Sequence, residues 1–289
     1  MSAPAMIFTI KELSEYSGIK VTTLRIWEKR YAVLTPSRNT GNTRVYSVAD
    51  FYKLIQLASL RKSGMKISDL SSLAAERLDE LFERLRESNR FEFIIANAVL
   101  YIGTKKIFEF EKLLGDAIKQ NNEETVLKSV IFPILGRTGF FSKEVDGIEK
   151  KLAGQVIENA LTKIYGSLYG YYPGESKIML CFRRSKSPQG LVYRYFCCLF
   201  RLAKWNTLDA GTVTDFAQME HLVKHYKPTS VFTADNISLA TADQFFKDWQ
   251  TIFPSAIKMI VASKSSKTTT ELNRNMILVP FTRDLDVGI

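Results

Sequence analysis

The run from Lys20 to Arg30 gathers Lys20, Thr22, Thr23, Arg25, Lys29 and Arg30, residue types that hold phosphate oxygens or reach base edges. Hydroxyls near the start of such a run can approach phosphates or bases, and Arg25 is long enough for a base edge or a backbone oxygen. A second group follows, with Arg38, Asn42 and Arg44 in and around the turn-forming stretch Ser37–Thr43 and Tyr46 just beyond it. Enzyme chemistry has less to work with. The chain holds no glycine-rich phosphate loop, nucleophile elbow or metal-ligand cluster. His221 and His225 stand four apart beside Glu220, a spacing that can bind a metal, but with no third ligand a solvated helix face explains them better. Asp209, Asp215 and Asp235 are as well explained as loop or cap residues as by phosphotransfer or Mg²⁺ chemistry. No catalytic residue is assigned, and no enzymatic activity is expected.

The first cationic group needs a helix to present it. Phe8–Gly18 reads as a short helix, with Ile10, Leu13 and Tyr16 at helical spacing, Thr9 as N-cap and Glu12 completing a capping box. After the Gly18-Ile19 turn a second helix runs from Val21 to about Arg30, turning Leu24 and Trp27 inward as core. Two short helices joined at a glycine turn have helix-turn-helix geometry. Pro36 closes the helical region. In Ser37–Thr43, Gly41 and the asparagines can take positive φ, and the extended Arg44-Val45-Tyr46 follows. This hairpin is read as a wing that sets Arg38 and Arg44 beside a phosphate backbone and Tyr46 against sugar and phosphate. Ser47 begins another helix with Asp50 in its first turn, lined inside by Leu54, Leu57, Ala58 and Leu60, and a short helix from Ser68 closes the module with Leu70 and Leu73.

Charge agrees with that placement. The 289-residue chain carries a net +10, and Thr9–Lys66 alone holds 11 Lys or Arg against 4 Asp or Glu, a field suited to a polyanion such as double-stranded DNA. With 46% hydrophobic residues there is material for two or three domains. Only three cysteines occur, two of them adjacent, which fits a reducing cytosol better than a disulfide framework. The stretch Met1–Ile10 lacks the build of a signal peptide, and no apolar run is long enough to span a bilayer, so a cytoplasmic protein without membrane contact is expected.

Behind the module, Leu78, Leu81, Phe82 and Leu85 form a heptad-like stripe, followed by amphipathic segments near Phe91–Tyr101, Ile107–Asn121, Glu123–Thr138 and Asp146–Tyr169. These predict a middle four-helix bundle. The turn-rich Gly170–Glu175 marks a boundary. Beyond it, strands are expected at Lys177–Phe182, Asn206–Ala210, Ser230–Ala234, Ile257–Ala262 and Met276–Phe281. Helices are expected at Gln189–Ala203, Asp215–His225 and Thr241–Ile252, with a short one around Thr270. That rhythm is a doubly wound α/β parallel sheet, whose sites form at the carboxyl ends of strands. Arg183, Arg184 and Lys186 at such an edge read as a charged exposed loop, the alternative being an anion or protein-partner contact. The plan is therefore multidomain: a DNA-binding winged helix-turn-helix over 1–77, a helical bundle over 78–172 and a Rossmann-like domain over 173–289.

Leu24-Arg25-Ile26-Trp27-Glu28-Lys29-Arg30-Tyr31, Leu34-Thr35-Pro36-Ser37-Arg38 and Arg44-Val45-Tyr46-Ser47 together resemble the DNA-binding domain of the MerR family of bacterial regulators. The Trp-Glu-x-Arg-Tyr form is similar to the subgroup whose effector half binds cobalamin and senses light. The resemblance implies a dimer on a near-palindromic promoter element and, for this subgroup, repression by occluding the promoter. The cofactor motifs have degenerated. Gly139-Phe140-Phe141 occupies the neighbourhood of a capping Trp, Lys150-Lys151-Leu152 that of an adjacent Glu and His, and no histidine precedes His221. In place of the family's Glu-x-His-x-x-Gly stand Ser185, Ser187 and a retained Gly190, and Ser263-Lys264 replaces paired glycines. A serine hydroxyl is a poor substitute for imidazole toward a transition metal. No cofactor is expected, the rear half being read as an oligomerisation or protein-interaction region open to a protein antagonist. The alternative is a cobalamin-dependent photosensor with atypical ligation.

Overall fold

In the computed structural model the described residues are 6–140, 148–168, 177–184, 190–213, 215–235, 247, 257–263, 269–273 and 276–280. They fall into two compact units, Met1–Ala153 and Gly154–Ile289. The division lies inside a helix, and the turn-rich Gly170–Glu175 lies outside the described residues.

The first unit opens with β1 (Ile7–Phe8), α1 (Ile10–Ser17), α2 (Val21–Tyr31), β2 (Ser37–Arg38), β3 (Arg44–Ser47), α3 (Val48–Lys62) and α4 (Ile67–Ser71). Thr9 and Glu12 close the predicted capping box, and the helix ends at Gly18 with φ 69°. The helix starts at Ile10, not at Phe8. Phe8 instead pairs with Tyr46 of β3, giving a small antiparallel sheet in the order β1-β3-β2. The Thr9 cap explains the difference, because an extended N-cap leaves the residue before it free to join a strand.

The helical body follows as α5 (Ala75–Ser88), α6 (Arg90–Gly103), α7 (Ile107–Gln120), α8 (Glu123–Thr125) and α9 (Phe132–Arg137), with α10 (Ile148–Ser167) crossing the unit boundary. Between α8 and α9 the residues Val126–Ile131 form a π-helical stretch that periodicity does not foresee. Pro133 has no N–H to give the preceding turn, and that turn is the widened one. Leu78, Phe82 and Leu85 face inward from α5, as their spacing predicts.

One hydrophobic cluster runs from Phe8, Leu13, Leu24 and Trp27 through Phe51 and Leu54 to Leu78, Phe93 and Leu100. Phe51 is wholly buried and stacks on Phe8 with ring centroids 4.4 Å apart. Against it lies Gly103, where a Cβ would come within 2.5 Å of the Phe51 Cζ. Gly103→Ala therefore forces a core ring to move and should cost about 1–3 kcal/mol by overpacking. Urea denaturation of the full chain checks it, since an unchanged midpoint would mean that the ring has room.

The second unit contains β4 (Ile178–Arg184), α11 (Gly190–Leu202), β5 (Asn206–Val213), α12 (Phe216–Tyr226), β6 (Ser230–Ala234), β7 (Lys258–Ala262), β8 (Thr270–Asn273) and β9 (Met276–Val279). Its sheet order is β5-β4-β6-β7-β9-β8, parallel throughout except that β8 runs antiparallel to β9. The chain thus winds one way from β4 to β5 and the other way from β6 to β9. The segment around Thr270 is an edge strand and not the expected short helix. An antiparallel neighbour needs only a short connection, and pairing it covers the otherwise open edge of β9. The helix expected at Thr241–Ile252 lies outside the described residues except for residue 247. Among the described residues, no helix is long and apolar enough to cross a membrane.

Candidate nucleic-acid interface

Helix α2 turns Leu24 and Trp27 into the core, both nearly or wholly buried. The Arg61 guanidinium covers the Trp27 ring 5.8 Å from its centroid, so Trp27 is packing. With a repeat of 3.6 residues, that inward stripe leaves Thr22, Arg25, Ile26, Lys29 and Arg30 outward, and all five are exposed, as is Lys20. Thr23 is half-buried beside them. The turn before α2 is closed by the Ser14 hydroxyl, which donates to the Ile19 carbonyl at 2.7 Å.

The hairpin β2–β3 carries the second cationic group. Arg38 and Arg44 sit opposite one another in its register, and both are exposed. Arg38 Nη1 donates to the Asn42 carbonyl at 3.1 Å and to Asn42 Oδ1 at 2.7 Å, which ties the arginine to the tip. The left-handed non-glycine residue of the tip is Asn42, with φ 57°, and Gly41 is not left-handed. Asn39 organises the turn, its Oδ1 accepting from the backbone N–H of Gly41 at 3.1 Å and of Thr43 at 2.9 Å. That role had no signal beyond asparagine's general turn preference.

Tyr46 requires a correction. It was expected against sugar and phosphate, yet it is 0% exposed and its hydroxyl donates to Glu28 Oε2 at 2.8 Å. Pairing with Phe8 turns the ring to the core side of the sheet. Burial, then the bond to Glu28, pushes its phenol well above the ordinary tyrosine range. Glu28, given no contact role by the sequence pattern, also meets Arg44 Nε at 3.2 Å. One carboxylate on α2 thereby fixes the helix to the hairpin and aims an arginine.

Asp50 holds the base of the same hairpin. Its Oδ1 accepts from the Thr35 N–H at 3.0 Å, and its Oδ2 accepts from the Ser47 N–H at 3.1 Å and the Ser47 hydroxyl at 2.7 Å. Burial pushes this carboxyl upward, but the bonds from Thr35 and Ser47 outweigh it and leave the group below its usual range. A depressed folded-state pKa gives stability that is present above the unfolded carboxylate value of about 4 and lost as pH falls through the lower folded value. Asp50→Asn should remove that part of the acid dependence and cost about 1–2 kcal/mol at neutral pH. Urea midpoints measured from neutral pH to acid check both.

The remaining candidates are dispersed. Phe140 is buried, Lys151 is exposed and Leu152 is 50% exposed, so no imidazole and no enclosed donor stands there. Phe141, Ser185, Ser187 and Lys186 lie outside the described residues. Gly190 opens α11, where a Cβ would meet Arg183 Nη1 at 3.0 Å. Ser263 is fully buried after β7, its N–H donating to the Val279 carbonyl at 2.9 Å. Of the described positions of the cobalamin pattern, Gly190 keeps the glycine that the resemblance implies, and Lys151, Leu152 and Ser263 stand at the altered ones.

Asp209 accepts from the Tyr193 hydroxyl, from Arg194 Nη1 and, at 2.9 Å, from the Gly211 N–H. Asp215 caps α12 through the Gln218 N–H at 2.8 Å. His221 and His225 are both exposed. Among the described residues no three His, Cys, Asp or Glu side chains are placed to hold a metal. The cysteines are buried, and burial pushes the Cys181 and Cys198 thiols up, away from nucleophilic thiolate. A cleft of about 330 Å³ beside Phe8, Tyr16 and Ile102 has its two lysines already facing acids, Lys105 on Glu149 at 2.6 Å and Lys150 near Glu15 at 4.0 Å.

Residues 8–76 match the family described as MerR HTH family regulatory protein. The chain is 28% identical over 181 residues to the HTH-type transcriptional repressor CarA of Myxococcus xanthus, covering 61% of this chain and 59% of that protein. It is 38% identical over 78 residues to the HTH-type transcriptional repressor CarH of the same organism, covering 27% of this chain and 25% of that one. It therefore spans less than two thirds of either relative. Among solved structures, the methanol:cobalamin methyltransferase complex MtaBC from Methanosarcina barkeri overlaps 77% of this chain and 86% of that chain, with 13% identity and a TM-score of 0.32.

Proposed function

We infer, from a chain whose residues 8–76 carry a MerR-type helix-turn-helix domain, that this protein is a sequence-specific transcriptional regulator of double-stranded promoter DNA. In this reading α2 enters the major groove and the β2–β3 hairpin is the wing that grips the flanking backbone. The observation that carries it is the exposed Thr22-Arg25-Lys29-Arg30 face, locked to Arg44 of the hairpin through Glu28. A two-part grip of that kind has little use for a ligand smaller than a duplex. The identity to CarA, itself a repressor, runs well past the matched head. That supports repression; in the same reading a homodimer acts in the cytoplasm by occluding the promoter. The helices behind the head, as a bundle, and the α/β domain then serve oligomerisation or binding of an effector protein rather than catalysis.

Genome-wide mapping of bound sites followed by binding assays tests this. The selected operator should bind with about nanomolar affinity, and log K should fall steeply and linearly with log salt. Binding to the best genomic site no tighter than to scrambled DNA would overturn the reading. The cobalamin-responsive alternative predicts visible absorbance that co-elutes with the protein after incubation with adenosylcobalamin.

A further inference from the structure

The outward face of α2 has one residue that phosphate binding does not explain. Ile26 is 56% exposed, and its neighbours on the same face are Thr22 at i−4, Lys29 at i+3 and Arg30 at i+4, all exposed. Among the described residues of α2, β2 and β3, no other large aliphatic or aromatic side chain is exposed to this degree. A lone apolar residue on a surface is ordinary. One set in the middle of a cationic face is less so, because a polar residue there would add a phosphate contact.

Its shape adds to the argument. A β-branched side chain in a helix has essentially one χ1 rotamer, so Ile26 presents its methyl groups already ordered. In the major groove the apolar group on a base edge is the C5-methyl of thymine. Arg25, adjacent on the same helix and exposed, is long enough to reach a neighbouring base edge, so the two side chains together offer one apolar and one hydrogen-bonding contact.

We propose that Ile26 is a specificity-determining residue that reads the C5-methyl of one thymine in each half-site. This rests on the DNA-binding reading above, and the test separates the two. The operator is first selected from random duplexes with the full-length protein. Each thymine is then replaced singly by deoxyuridine, which removes the methyl and keeps the base pairing. Wild-type protein should lose about three- to tenfold in affinity at one thymine per half-site. Ile26→Ala should bind the thymine operator with that same loss and be indifferent to deoxyuridine at that position.

If wild type prefers the selected operator but no single methyl matters, the inference falls and the DNA-binding reading stands. The same holds if Ile26→Ala keeps the wild-type response to deoxyuridine, which would mean that Ile26 acts elsewhere, for example between protein copies. If wild type does not prefer the selected operator over scrambled DNA, the DNA-binding reading itself fails.

Discussion

Arg137→Met is expected to cost the first unit about 3–5 kcal/mol, the scale for stranding one member of a buried ion pair. Arg137 Nη2 lies 2.6 Å from each Glu92 oxygen, and both side chains are only 9% exposed. The other cation nearby, Lys62, keeps its Nζ 3.8 Å from Glu92 and is itself about half exposed, so it compensates little. Burial pushes Glu92 up to about 7 and Arg137 down to about 10, which shows how strongly the site resists charge. Without its arginine, Glu92 should titrate still higher. An acid whose folded pKa exceeds its unfolded value is stabilising at low pH and loses that contribution as pH rises, so the deficit of Arg137→Met should be larger near pH 8 than near about pH 5. The double replacement Glu92→Leu with Arg137→Met should recover to within about 1 kcal/mol of wild type. Hydrogen exchange of α3, α6 and α9 reads these differences locally. Equal protection in wild type and Arg137→Met would show that water already reaches the pair.

Arg25→Ala should weaken operator binding by about 1–3 kcal/mol per half-site, up to twice that on a two-fold site, and relax sequence preference at one position. Arg38→Ala and Arg44→Ala should instead weaken all sequences more evenly and lower the salt slope by about one phosphate contact each. The contrast follows from position: Arg25 projects from α2, the helix proposed to enter the major groove, whereas Arg38 and Arg44 sit on the hairpin, held by Asn42 and Glu28. Binding isotherms on specific and scrambled duplexes at several salt concentrations distinguish the two classes. Unchanged binding in all three variants would mean that the docking surface lies elsewhere.

What was legible in advance shares one physical property, namely short range. The Thr9–Glu12 box, the Ser47 cap and the inward Leu24 and Trp27 depend on residues three or four apart, and each is as its spacing implies. What was missed depends on residues far apart in the chain. The Tyr46–Glu28 bond spans 18 positions and the Glu92–Arg137 pair spans 45, so no local pattern announces either. Thr270 was misread because an edge strand is defined by the neighbour it pairs with rather than by its own periodicity.

The single core that joins Phe8 to Leu100 bears on how the matched segment can be moved between proteins. The segment matched by the family ends at residue 76, which invites a cut there to graft it onto another protein. A cut at that point would strip Leu78, Phe82, Leu85, Phe93 and Leu100 from the packing around Leu54 and Leu57. The smallest portable part is therefore longer than the recognisable motif: a functional transplant has to carry α5 and α6 with it.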